Sequence, residues 1–394
     1  KGLRKSFRDL STVCITKHHL KKPLWIPLTL IAEFTGLLWA LVLYQSGKGT
    51  INSDNTQLLI LSSHPIQYFS PVFVRLNKIK KFSSFVFYLT IPDPKSQSLG
   101  FKKDFTWDIP LLRDYSYIVA NSFNGKGLIS GFFGVQLKSP MNELRLISKQ
   151  NKPDAVLVTG WHFWGMVQMF IAFKISNIPI ILRMDSNSVR DRMPIFKWIY
   201  KLFFSWVDIC LTVGEHNKNF CIESGMAEDR IIPSPHIVDN EFFLEKSQIA
   251  KLAYDELREK WKIPKDAFCF LYAGKLQQKK RPLDLLKALK IAITLTQRKL
   301  HLLVVGTGDL DDVCRRFSSK HNLPVSFVGF LNQSAIPQAY GVSDCIVLPS
   351  DHRETWGLVI NEAMACGLPA IVSDLVGCAP EDRKSTRLNS SHTV

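Results

Sequence analysis

Two glutamates in one short stretch carry the clearest chemical signal in this sequence. Glu354-Thr-Trp-Gly-Leu-Val-Ile-Asn-Glu362 runs into Ala363-Met-Ala-Cys-Gly-Leu-Pro369. A helix is expected to begin near Trp356-Gly357, so that its unpaired N–H groups face an anion. Glu362 would lie about one and a half turns inside, where it can accept from hydroxyls beside that anion. Gly367-Leu-Pro369 stops the helix. The plainer reading is an amphipathic helix carrying two incidental glutamates. A second cluster, Gly274-Lys275-Leu-Gln-Gln-Lys279-Lys280-Arg281-Pro282, sits where an apolar run ends and a helical pattern begins. Lysines there can neutralise a diphosphate leaving group, where negative charge develops during group transfer. A solvated basic loop is the alternative.

Short apolar runs must position these groups. Gln57–Ser63, Ala155–Val158, Ile178–Leu182 and Ile209–Val213 read as buried parallel strands, with amphipathic stretches at Phe163–Ser176 and Pro194–Trp206 between them. A polar segment, Glu245–Asp266, precedes a second series: Phe268–Ala273, Leu300–Val305, Val325–Val328, Cys345–Leu348 and Ala370–Val372. Strands alternating with helices imply an α/β protein of two Rossmann-like domains joined near residue 250, with ligand at the strand C-termini.

Together the motifs resemble retaining GT-B glycosyltransferases of family 4. That family shows G-R-L-x-x-x-K, V-G-x-G, F-x-G-x, and E-x7-E before A-M-A-x-G-x-P. This chain has Gly274-Lys275-Leu with Lys280, Val305-Gly-Thr-Gly308, Phe327-Val-Gly-Phe330 and Glu354/Glu362 in the same order across residues 268–380. Lys275 stands where the family has Arg, which keeps the charge but not bidentate phosphate geometry. His64-Pro-Ile-Gln67-Tyr68 resembles a subgroup from polysaccharide clusters.

The resemblance implies a nucleoside diphosphate sugar donor on the C-terminal domain. Glu362 would hold the ribose hydroxyls and Glu354 a sugar hydroxyl. Lys275, Lys280 and the N–H groups of Gly357 and Leu358 would hold the diphosphate, and Gly329-Phe330 would flank the base. Neither a metal nor a cofactor is required, because lysines and a helix N-terminus do what Mg²⁺ would. Domain closure across a central cleft would gate turnover.

In the N-terminal half, His64 and Gln67 either contact donor phosphate or acceptor, or form a structural turn. Asp185 occupies the position of the family's histidine. It either orients the acceptor hydroxyl or stabilises an oxocarbenium-like centre, or it is a helix N-cap with Ser186. Arg183 pairs with it or binds an acidic acceptor, and His162 is a weaker candidate of the same kind. Asp185 and Glu354 are thus the candidate catalytic residues. The expected acceptor is a saccharide or a lipid-linked one. Two alternatives stand beside the transferase: another GT-B sugar-nucleotide enzyme such as an epimerase, and a catalytically dead nucleotide-sugar-binding protein.

The 394 residues exceed the usual limit of one core, and the net charge is +16. Residues 1–50 carry eight Lys/Arg and only two acids, so the body is less basic than the total suggests. The remaining charge suits an anionic substrate or an acidic membrane surface. No basic run is interleaved with aromatics as in RNA binders, so nucleic acid is not an expected partner. Eight scattered cysteines without a C-x-x-C pair suit reduced thiols and the cytoplasm. Residues 23–44 form an apolar run interrupted only by Glu33. Residues 1–55 are thus either a membrane anchor or the tail of an upstream gene. The expected location is cytoplasmic and peripheral to the inner face of the membrane, integral if 23–44 is genuine. Asp382–His392 back-translates into a common sequencing-adapter oligonucleotide. The expected organisation is 1–55 N-terminal segment, 56–250 acceptor domain, 251–380 incomplete donor domain and 381–394 read-through. The C-terminal helix that such enzymes return to the first domain would then be missing.

Overall fold

The computed structural model describes residues 14–15, 56–79, 82–97, 104–121, 123–124, 131–188, 194–351 and 353–381. The 23–44 run and the 382–394 tail lie outside these. Among the described residues no helix is long and apolar enough to cross a membrane.

The chain divides into two compact units. One holds, among the described residues, those of 56–97 and 105–236; the other holds 14–15, 104 and those of 237–381. The N-terminal unit is built on β2 (Thr56–Ser62), β3 (Phe82–Tyr88), β4 (Tyr117–Val119), β7 (Ala155–Val158), β8 (Ile180–Met184), β9 (Ile209–Thr212) and β10 (Ile231–Pro233). Their order is β10-β9-β8-β7-β2-β3-β4, parallel throughout. Leu58 to Leu61 have no exposed surface, as a strand covered on both faces requires. A small antiparallel pair, β5 (Phe123–Asn124) with β6 (Gln136–Leu137), lies apart. The helices are α1 (Ser70–Leu76), α2 (Pro94–Gln97), α3 (Pro140–Gln150), α4 (Trp164–Ile175), α5 (Pro194–Phe204) and α6 (Glu215–Glu223).

The C-terminal unit is built on β11 (Phe268–Ala273), β12 (Leu300–Val305), β13 (Val325–Gly329), β14 (Cys345–Leu348) and β15 (Ala370–Val372), all parallel. Their order is β15-β14-β11-β12-β13, and the two-residue β1 (Cys14–Ile15) pairs antiparallel with β15. Its helices are α7 (Asn240–Leu252), α8 (Tyr254–Lys260), α9 (Pro282–Leu295), α10 (Asp311–Lys320), α11 (Ile336–Val342) and α12 (Leu358–Ala365).

All nine expected strands are found within two residues of their anticipated ends; besides the two-residue strands β1, β5 and β6, three strands of the N-terminal sheet were not anticipated. Phe82–Tyr88 carries Ser83 and Ser84 at its start, and Tyr117–Val119 and Ile231–Pro233 are only three residues long. Two further expectations change. Trp164–Ile175 is not amphipathic: Met166, Met169, Phe170, Ala172 and Phe173 are all buried, because flanking helices cover it as well as the sheet. Glu245–Asp266 is not a connector. It lies largely in α7 and α8, and α7 packs on α11 and α12; the two compact units divide at His236/Ile237. Arg258 on α8, with 1% of its surface exposed, fastens that region. Its guanidinium donates to the Tyr254 hydroxyl and to the carbonyls of Pro264 (3.1 Å) and Ala267 (2.5 Å).

Candidate functional sites

In each sheet the first strand lies between its sequence successor and a strand that arrives much later. Loops on the two sides of such a switch point diverge and leave room for ligand at the strand C-termini. In the C-terminal unit the switch falls between β11 and β14. The basic loop follows β11 and the Glu354 loop follows β14, so the two strongest motifs meet there.

They meet as an ion pair between Lys280 Nζ and Glu354 Oε2, with side chains only 14% and 12% exposed. The loops are also joined through the backbone, Asp351 N–H donating to the Lys279 carbonyl at 2.9 Å. Gly377 and Cys378 hold the far side, donating to the carbonyls of Glu354 and Trp356 at 3.1 Å each. A side chain on Gly377 would overlap the Thr355 carbonyl, so this position admits only glycine. Lys275 lies close enough to Lys279 and Lys280 that burial and these two charges lower its pKa. Three lysines against one paired glutamate leave the loop cationic, which suits an anion.

The V-G-x-G turn after β12 packs on the backbone of this loop. Gly306 donates to Gly329 at 2.7 Å, Gly274 to Val305 at 3.0 Å and Leu276 to Thr307 at 2.9 Å. A Cβ on Gly308 would come within 2.6 Å of the Leu276 carbonyl oxygen. The turn Gly329-Phe330 thus adjoins the same loops, with Gly329 at φ +80°.

Helix α12 starts at Leu358, behind Gly357 in the left-handed region (φ +98°), as its expected N-terminus requires. Glu362 sits 2% exposed, its Oε2 accepting from the Tyr340 hydroxyl of α11 at 2.5 Å. Both glutamates are buried, Glu354 9% and Glu362 2% exposed.

The N-terminal unit has its own cluster at the switch between β2 and β7. Ser63 Oγ lies 2.9 Å from His64 Nδ1 and 3.1 Å from His162 Nε2, linking the loops after those strands. Desolvation, then the neighbouring His162, pushes the His64 pKa down to about 4. Asp185, after β8, pairs with His236 Nε2 at 3.0 Å, and their side chains are 46% and 5% exposed. Partial burial opposes ionisation of Asp185, but His236, Arg183 and His162 outweigh it and hold its pKa at about 2. Arg183 is 6% exposed, with its guanidinium 5.2 Å from the centre of the Phe69 ring.

The helix N-cap reading of Asp185 with Ser186 is overturned. No helix starts there, and the carboxylate is engaged by His236; the Ser186 carbonyl instead accepts from Asn217 Nδ2 at 2.5 Å. Sequence reasoning missed His236. Its signal was weak, a histidine closing Pro233-Ser-Pro-His236 after a strand that was itself missed. Gln67 is half-buried in the turn before α1 and takes no part in this cluster.

Histidine burial makes stability depend on pH in a definite direction. His301, 4% exposed and bonded to Ser326 Oγ at 3.0 Å, also has its pKa lowered to about 4, by burial and then by Arg258. Between pH 6.5 and 4 the unfolded chain binds protons at His64 and His301 that the folded chain does not. The contribution of these two histidines to stability is therefore expected to be complete above pH 7 and to be lost from pH 6.5 towards 4. Denaturant midpoints at half-unit pH steps check this, and His64→Gln with His301→Gln should flatten the fall. An unchanged slope in that double variant would refute the assignment.

Comparison with known proteins agrees with the folds of both units. Residues 253–384 match the family described as Glycosyl transferases group 1. Over 217 residues the chain is 26% identical to the UDP-Gal:alpha-D-GlcNAc-diphosphoundecaprenol alpha-1,3-galactosyltransferase of Escherichia coli, covering 52% of this chain and 54% of that one. It spans between about a quarter and about a half of the length of the curated relatives it matches first. A glycosyltransferase from Rickettsia africae ESF-5 superposes with a TM-score of 0.61 at 18% identity, covering 82% of this chain and 80% of that one. Anabaena Alr3699/HepE, solved with UDP and glucose, gives 0.56 at 14% identity, covering 82% of each. Residues 253–384 thus match the glycosyl transferases group 1 model, and the chain as a whole has an α/β fold of two Rossmann-like units, the GT-B architecture of these solved structures.

Proposed function

We propose that this protein transfers a sugar from a nucleoside diphosphate sugar to a saccharide or lipid-linked acceptor, with retention of anomeric configuration, in cell-surface polysaccharide or glycoconjugate synthesis. The observation that carries the reading is the Lys280–Glu354 pair at the C-terminal switch point, ringed by Lys275, Lys279 and the start of α12. Lys275, Lys280 and the N–H groups of Gly357 and Leu358 neutralise the diphosphate, in place of a metal. Glu354 then exchanges part of its lysine contact for a sugar hydroxyl, and Glu362 braces the ribose side. Asp185, kept ionised by His236, orients the acceptor. The E. coli relative, whose name gives a UDP-sugar and a diphosphoundecaprenol-linked acceptor, supports both substrate classes. The enzyme is cytoplasmic and peripheral to the inner membrane face.

Nucleotide binding tests this reading without knowledge of the acceptor. UDP, GDP, ADP and TDP are compared by thermal shift on the full chain, with Lys280→Met and Glu362→Gln as controls. One nucleotide should raise the Tm by several degrees at a hundredfold excess over its Kd, equivalent to about 2.7 kcal/mol. Lys280→Met should abolish that shift. No shift with any nucleotide in a folded protein would reject the donor site. Rearrangement of a donor sugar in the absence of any acceptor would show the epimerase alternative instead.

A further inference from the structure

Helix α5 of the N-terminal unit is hydrophobic on the side it buries and also on the side it presents to solvent. Tyr200 and Phe203 pack against the core, Phe204 is fully buried, and Phe203 stacks on Phe170 of α4 with ring centres 4.1 Å apart. On the opposite arc Trp198 is 66% exposed, Leu202 47% and Ile199 45%. Trp198 and Leu202 are four apart and therefore stand one above the other. Lys197 and Lys201 flank this stripe, both exposed, and the helix contains no acid.

The next helices in the same layer extend the pattern. Helix α4 packs against α3, and a groove of about 620 Å³ runs along α3. Leu146, Met141 and Ile178 line it with Arg145, Lys149 and Lys152, and no acidic residue faces it. Ile175, at the end of α4 beside that groove, is 67% exposed.

We propose that this layer of the N-terminal unit, led by Trp198, Ile199 and Leu202 of α5, docks on an anionic lipid bilayer. An interfacial helix needs an apolar face for the acyl boundary, an aromatic at headgroup level and flanking lysines for anionic headgroups. Helix α5 supplies all three. Charge argues against a second copy of the chain as occupant. A two-fold contact through this stripe would bring Lys197 and Lys201 towards their own counterparts, with no acid on the helix to meet them. The docking surface stands apart from the donor site, so the nucleotide panel and the test below fail independently.

Residues 23–44 read either as an anchor or as a foreign tail, so the readout must be local to α5. Amide hydrogen exchange of the full chain is measured alone, with phosphatidylcholine vesicles, and with vesicles also containing phosphatidylglycerol. Peptides across residues 194–206 should exchange severalfold more slowly on the anionic vesicles only. Trp198→Ser with Leu202→Ser should abolish that protection while leaving the Tm unchanged, because both side chains face solvent. If that variant does not fold, Lys197→Glu with Lys201→Glu provides the same test through charge. Unchanged exchange over 194–206 on anionic vesicles would overturn the proposal, as would equal protection by neutral ones. Protection that grows with protein concentration in the absence of lipid would also overturn it, showing a contact between copies.

Discussion

Lys280→Ala is expected to lower stability by about 2–4 kcal/mol, because it leaves the buried Glu354 carboxyl without its partner and with little water to compensate. Loss of one partner of a fully buried pair costs about 3–5 kcal/mol, and the 14% and 12% exposure of these two side chains moderates it. The backbone link between Asp351 and Lys279 remains, so the loops stay in place and the loss reports the charge itself. Lys280→Met with Glu354→Gln should recover much of the stability, since neither side chain then carries an uncompensated charge. Denaturant unfolding of the two proteins measures the difference. On the proposed reaction both variants lose turnover by a factor on the order of 10²–10³, the usual scale for one electrostatic group at a developing charge. Stability recovered without activity would assign the Lys280–Glu354 pair to the chemistry. A Lys280→Ala protein as stable as the parent would mean that the pair is not formed in solution.

The second large effect is expected at Gly306. Its φ of +126° lies outside the range of L side chains, and an added Cβ would overlap the Gly274 carbonyl oxygen. Gly274 cannot retreat easily, because its own N–H is bonded to Val305. Gly306→Ala therefore combines backbone strain with a clash against fixed backbone, together about 4 kcal/mol or more. Gly329→Ala is the internal comparison. Its φ is also positive, +80°, but nothing lies within 4 Å of the added carbon. It should cost only about 1–2 kcal/mol. Thermal melts of the two variants separate the terms: equal losses would mean that conformation alone, and not the approach of the Gly274 loop, demands glycine at 306. Because that loop carries Lys275 and Lys280, Gly306→Ala should also weaken nucleotide binding on the proposed reading.

The C-terminal unit was legible in the sequence for a physical reason. Its five parallel strands are short apolar runs with turn residues at both ends, and the glycines of its loops are fixed by backbone approaches that tolerate no Cβ. Gly306, Gly308 and Gly377 each meet such a limit, and Gly357 is held by its positive φ and by the Leu348 side chain, so the loop geometry is written into residue type.

The N-terminal unit depended on contacts that sequence spacing does not encode. Asp185 looked like a helix cap because Ser186 follows it; the partner that holds its carboxylate, His236, is fifty-one residues away across β9. Phe85-Val-Phe-Tyr88 is itself an apolar run with strand propensity, masked only by the serines before it, whereas Tyr117–Val119 and Ile231–Pro233 are too short to show a run and are made strands by register with a neighbouring strand. Likewise, Glu245–Asp266 reads as a polar connector until α11 and α12 provide the surface on which α7 packs. Residue types and turns determined the two-sheet plan and the donor-side loops. Which charges meet, Lys280 with Glu354 and Asp185 with His236, was decided only by the order of strands in each sheet, because that order alone brings distant strand ends side by side.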